Sequence, residues 1–229
     1  MSARGCAART GRAIVRTYRA ERNQQVVVLL DTGRGMAGRV GGVPRLEHVM
    51  DAAMALVHVA SSVDDRCGLV AFDREVRAVV PAGHGTGQLG RVVEAICELE
   101  PRLVESDYRG AFATTLARFR RRCLFVVMTE LTEEALAETL FPALGLLLSR
   151  HLVLVAAVRD PDIERWAAAV PADASEAFRS AAAAQALGRR ASVAARLRGA
   201  GAIVVDAPPG ALAGQLADAY LGLKESGRL

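Results

Sequence analysis

From residue 26 onward, short continuous apolar runs alternate with longer stretches whose apolar residues recur every three or four positions. The runs "VVVLLD" (26–31), "CGLVAFD" (67–73), "EVRAVVP" (75–81), "CLFVVMTE" (123–130), "HLVLVAAV" (151–158) and "AIVVDA" (202–207) predict strands. Continuous apolarity is what a strand buried on both faces requires. Helical spacing marks the segments between them. Leu46, Val49, Met50, Ala53, Val57 and Ala60 predict a helix over 45–63, with Pro44 at its start. Leu89, Val92, Val93, Ile96 and Leu99 predict a second. Tyr108, Ala111, Phe112, Thr115 and Phe119 predict a third, with Asp107 at its N-cap. Thr132 is placed to cap a fourth, bearing Leu136, Leu140, Leu144 and Leu147 on one face. A long Ala-rich helical region covers 161–199, and a last helix covers 210–224.

Strands alternating with helices predict an α/β fold: a Rossmann-like, mostly parallel sheet with helices on both faces. The three residues "DRE" between the second and third strands are too few for a crossover. They predict an antiparallel hairpin, hence one antiparallel edge strand. Residues 1–25 are polar and carry six arginines. They read as an N-terminal arm, consistent with the remnant of a longer upstream region. Its alternating piece "AIVRTYRAE" is a candidate edge strand. Residues 26–229 read as one domain.

Composition supports this picture. The chain is 52% hydrophobic but only 4% aromatic, so aliphatic strands and small-residue helices supply the core. None of the four cysteines stands in a C-x-x-C pair, which argues against a zinc site or a disulfide framework. The net charge of +4 permits anionic partners without requiring one. The run "RFRRRC" ends a helix and lacks exposed aromatics between its arginines, so no nucleic-acid partner is expected. No apolar run reaches the ~18 residues of a membrane span. The start of the chain lacks the apolar core of a signal peptide. A soluble, cytoplasmic chain is expected.

Two features could carry chemistry. Gly33, Gly35 and Gly38 in "LLDTGRGMAG" spell G-x-G-x-x-G after a strand. A dinucleotide site also needs the loop to open directly into a helix, and an acidic residue about 20 positions on at the end of a second strand. Here "RVGGV" intervenes, the next strand ends far later at Asp73, and Asp31 sets a negative charge where a pyrophosphate would lie. No nucleotide is expected. The second feature is a set of carboxylates. Asp31 and Glu130 close two strands and Asp107 opens a helix, so a doubly wound sheet can bring them to one end. Hard divalent cations such as Mg²⁺ favour oxygen ligands of this kind. Equally, Asp31 could cap its own turn, Asp107 its helix, and Glu130 could be solvated. No serine sits in a nucleophile elbow, and His48, His58, His84 and His151 stand beside no nucleophile.

Several segments together resemble one family. "YRAERNQQVVVLLDTGRGM", "CGLVAFDREVRAVVP", "LEPRLVESDYRGAF", "RRRCLFVVMTEL" and "RHLVLVAAVRDP" are similar, in order and spacing, to DUF58 proteins, which carry a von Willebrand factor A-like domain. The resemblance implies a metal-ion-dependent adhesion site at the sheet's C-terminal edge. Such a site opens with Asp-x-Ser-x-Ser and is completed by a Thr and an Asp. Asp31 matches the opening Asp, Gly33 and Gly35 replace the serines, Asp107 falls near the Thr, and Glu130 stands at the late Asp. The implied site is degenerate, with Mg²⁺ held weakly or not at all. The resemblance also implies a non-enzymatic adaptor working with a MoxR-type AAA+ ATPase in protein assembly. The alternative is a divalent-metal hydrolase using Asp31, Asp107 and Glu130, with Arg34 or Arg109 as a phosphate clamp.

Overall fold

The computed structural model describes residues 23–85, 87–132 and 139–229. Its elements are β1 (Gln25–Asp31), a 3-10 turn (Arg34–Ala37), β2 (Arg39–Val40), β3 (Val43–Pro44), α1 (Arg45–Ser62), β4 (Arg66–Phe72) and β5 (Val76–Gly83). There follow α2 (Gly87–Ile96), α3 (Tyr108–Arg118), β6 (Leu124–Met128), α4 (Phe141–Leu148), β7 (Leu152–Val158), α5 (Pro161–Ala168), α6 (Ala174–Gly199), β8 (Ile203–Ala207) and α7 (Pro209–Glu225).

Six strands form one sheet in the order β5-β4-β1-β6-β7-β8. All pairs are parallel except β4–β5, the antiparallel hairpin that the short "DRE" link predicts. β1 is central, and its residues feed both faces. Val26, Val28 and Leu30 join one core with α1, α2 and α7. Val27 and Leu29 join the other, with α3, α4 and α6. The chain leaves β1 toward β4, then returns past it to β6. The switch point therefore lies at the carboxyl ends of β1 and β6, where open α/β sheets place their ligand crevice.

Three local expectations change. "RVGGV" is a small antiparallel ribbon of β2 and β3, not a plain loop. Its turn residues Gly41 and Gly42 have φ of 59° and 81°, the pair of positive values that a two-residue hairpin turn needs. The helical region 161–199 is two helices. Pro171 biases Val170, the residue before it, away from helical geometry, and Ala169 is already extended. The Asp173 side chain then caps α6, accepting from the Glu176 N–H at 2.8 Å. Finally, α2 stops at Ile96, and Leu99 lies beyond it in a turn closed by its N–H on the Ile96 carbonyl.

The candidate edge strand "AIVRTYRAE" and the start of the helix that Thr132 is placed to cap lie outside the described residues. Among the described residues no helix is long and apolar enough to cross a membrane.

Candidate functional site

Asp31 ends β1 with its side chain at the switch point, yet it is only 3% exposed. Its carboxylate is surrounded by donors. Oδ1 accepts from the Gly33 N–H at 2.8 Å and from the Ser106 hydroxyl at 2.5 Å. Oδ2 accepts from the Tyr108 hydroxyl at 2.8 Å and the Thr129 hydroxyl at 2.6 Å. The two hydroxyls on Oδ2 also lie 2.8 Å from each other. A buried carboxylate costs several kcal/mol unless hydrogen-bonded, and this one has donors on both oxygens.

Each donor is fixed by its own element. Thr129 directly follows β6. Ser106 belongs to the loop before α3, which is tied across the sheet edge by Arg34 N–H to Val104 O, Arg102 N–H to Thr32 O and Asp107 N–H to Asp73 O. Tyr108 opens α3, and its ring packs edge-on against Phe72 and Phe112 at 5.5 and 6.1 Å between centroids. Burial, and then the charge of Asp31, push the Tyr108 phenol well above its ordinary pKa, so it stays a donor.

Glu130 lies beside this cluster and is held by charge pairing instead. Arg45, the first residue of α1, brings Nε to 3.0 Å from Oε2. Arg190 of α6 reaches Oε1 with Nη1. The same guanidinium grips Asp206 through Nε and Nη2 at 2.8–3.1 Å and donates to the Val158 carbonyl at 2.9 Å. One arginine thereby joins the ends of β6, β7 and β8.

The three glycines now have a physical reason. A Cβ on Gly33 would overlap the Ser106 hydroxyl and stand 2.9 Å from the Val104 carbonyl. A Cβ on Gly35 would stand 3.3 Å from the Glu130 Cβ. A Cβ on Gly38 would overlap the Arg45 guanidinium. The motif makes room for the side chains that hold Asp31 and Glu130.

Asp31 and Glu130 thus line one small cavity, together with Arg34, Ser106, Tyr108 and Thr129. Asp107 is not brought to it. Its carboxylate caps α3, accepting from the Gly110 N–H at 2.9 Å, because a helix start offers free N–H groups to the nearest short acidic side chain. Among the described residues no three His, Cys, Asp or Glu side chains are grouped as metal ligands. The residues do not fit a divalent cation held as in an adhesion-type site. Gly33 and Gly35 offer no hydroxyl, both Asp31 oxygens already accept from protein donors, and two guanidinium groups contact Glu130.

Sequence reasoning misses Ser106, Thr129, Arg45 and Arg190 as site residues and reads Tyr108 as a helix-face residue. His151 packs its ring on Phe125 and sets Nδ1 3.4 Å from the Cys123 sulfur. Burial, then Arg150 and Arg122, lower its pKa, so it is a neutral core histidine.

The family model described as "Protein of unknown function DUF58" matches residues 5–192. The chain belongs to the DUF58 family. Among solved structures it is similar to the SpRpn10 VWA domain, at 13% identity and a TM-score of 0.51, covering 85% of this chain and 93% of that one. It is also similar to proximal thread matrix protein 1 from the mussel byssus, at 12% identity and a TM-score of 0.50, covering 86% and 46%. The conserved hypothetical protein BatB from Bacteroides thetaiotaomicron matches at 18% identity and a TM-score of 0.46, covering 61% and 69%. The likeness to the SpRpn10 domain, which spans most of both chains, establishes the von Willebrand A-like fold of this DUF58 chain. No curated protein matches it significantly.

Proposed function

We propose that this DUF58 chain is a non-enzymatic protein-interaction module. It works in the cytoplasm with a MoxR-type AAA+ ATPase in the assembly or maturation of other proteins. The von Willebrand A-like fold supports an interaction role. The observation that carries the reading is the inward, donor-saturated Asp31: the carboxylate best placed to act as a base or to hold a reactive water is committed to the protein itself. What the edge presents outward is a contact surface. Leu103, 79% exposed, stands on the loop tied across the ends of β1 and β4, near the exposed Arg34–Glu105 ion pair. An exposed large apolar side chain rimmed by charges is a usual anchor for a protein partner.

The test is titration calorimetry of the purified chain against a purified MoxR-type ATPase. Binding is expected, weakened at least about tenfold by Leu103→Glu with Arg34→Glu. Arg121→Glu, at the opposite end of the sheet, should leave it unchanged. Absence of binding would reject the partner. Binding sensitive only to Arg121→Glu would reject the surface.

A further inference from the structure

We infer that the Asp31 pocket is a rebuilt, cation-independent form of an adhesion-type site, in which protein donors hold the carboxylates that a metal ion would otherwise bridge. Three independent observations converge on it.

The first is steric. Ser106 comes from a different loop, yet its hydroxyl lies where a side chain on Gly33 would begin, and it donates to Asp31 Oδ1. A hydroxyl thus reaches this carboxylate from the other side of the crevice, through the space that a side chain at 33 would take. A serine at 33 and Ser106 in this position exclude each other.

The second is donor count. Mg²⁺ demands near-ideal octahedral geometry with free oxygen lone pairs directed at it. The Asp31 oxygens accept from one backbone amide and three hydroxyls. The Tyr108 hydroxyl lies 2.8 Å from both Asp31 Oδ2 and Thr129 Oγ1, so it fills the space between these two oxygens of the pocket. Its ring is held in an aromatic cluster, so it does not swing aside without breaking core contacts.

The third is charge. A second carboxylate at this edge would normally need a cation beside it. Glu130 has Arg45 and Arg190 instead, with side chains 17% and 13% exposed. The two guanidinium groups already neutralise Glu130, so this carboxylate does not call for a dication beside it. The inference concerns the site alone and does not depend on the identity of any partner. Its failure would leave the interaction role testable as above.

The experiment is titration of the wild-type chain with Mn²⁺ and, separately, Mg²⁺, followed by thermal shift and by amide NMR. At millimolar Mn²⁺ the Tm is expected to stay unchanged, with no selective paramagnetic broadening of the Gly33 and Thr129 amides. Broadening centred elsewhere on the surface fits the inference, because it marks an ion outside this pocket. Tyr108→Phe is expected to lower the Tm, and Mn²⁺ should not restore it. Saturable broadening centred on Gly33 and Thr129, whether or not the Tm rises with it, would overturn the inference.

Discussion

The Ser106 hydroxyl donates to Asp31 across 75 residues of sequence and occupies the space above Gly33. That relationship gives the glycine at 33 a role that no nucleotide motif supplies. Gly33→Ser should destabilise the fold by about 1–3 kcal/mol, the usual cost of forcing a side chain into a filled site. Ser106→Gly in the same chain should recover part of the loss. Denaturant unfolding of the two single variants and the double variant measures the coupling. Additive losses would show that the two positions do not share space.

Tyr108 links stability to pH. Its phenol pKa is held above the ordinary 10.0 by burial and by the Asp31 charge. The folded state therefore keeps a proton that the unfolded state releases above that value. The contribution is complete below pH 10 and is lost as pH rises through the folded pKa. Tyr220, buried against Asp65, acts in the same direction. Tyr108→Phe should cost about 1–3 kcal/mol at neutral pH, since it strips a hydrogen bond from a buried carboxylate. It should also make the alkaline decline shallower without abolishing it. Unfolding free energies measured on both sides of the ordinary phenol pKa check the sign.

Arg190 joins three strand ends. Removing it leaves Glu130 with Arg45 alone and Asp206 without its bidentate partner, both largely buried. Arg190→Ala should cost about 3–5 kcal/mol, as expected when one partner of a buried ion pair is deleted. Arg190→Lys should recover only a fraction, because an ammonium cannot reproduce the planar fork. Denaturant midpoints of the two variants give the comparison.

Much of the sheet is legible in the sequence, since 26–31 and 123–130 are apolar almost without interruption and end in carboxylates. The β4–β5 hairpin is legible too, because three residues cannot span a crossover. Asp31 and Glu130 are visible as strand-end acids. Their partners are not. Tyr108 has the spacing of a core residue, and only its hydroxyl, which periodicity does not weigh, sets it apart. Arg190 is one arginine in an Ala/Arg-rich helix, and its contact with Glu130 spans 60 residues. Asp107 is legible as the cap of α3, but a cap and a metal ligand call for the same residue type at the same loop position, so the sequence does not separate the two readings.

The chain's only lysine is hidden. Lys224 Nζ lies 2.6 Å from Asp65 Oδ2, which also accepts from the Tyr220 hydroxyl, while Oδ1 accepts from the Gln24 N–H. Acetylation of the native protein should therefore leave Lys224 unmodified, and modification should appear only with denaturant. Peptide mass spectrometry reads this directly. Rapid native labelling would contradict the buried pair.

At this sheet edge protein hydroxyls hold Asp31 and guanidinium groups hold Glu130, where a cation could otherwise sit. Anomalous diffraction from crystals grown in Mn²⁺ decides between the two. No manganese peak bonded to Asp31 is expected, with Ser106, Tyr108 and Thr129 still in contact with its carboxylate. A manganese ion ligated by Asp31, with Ser106 and Tyr108 displaced, would contradict it.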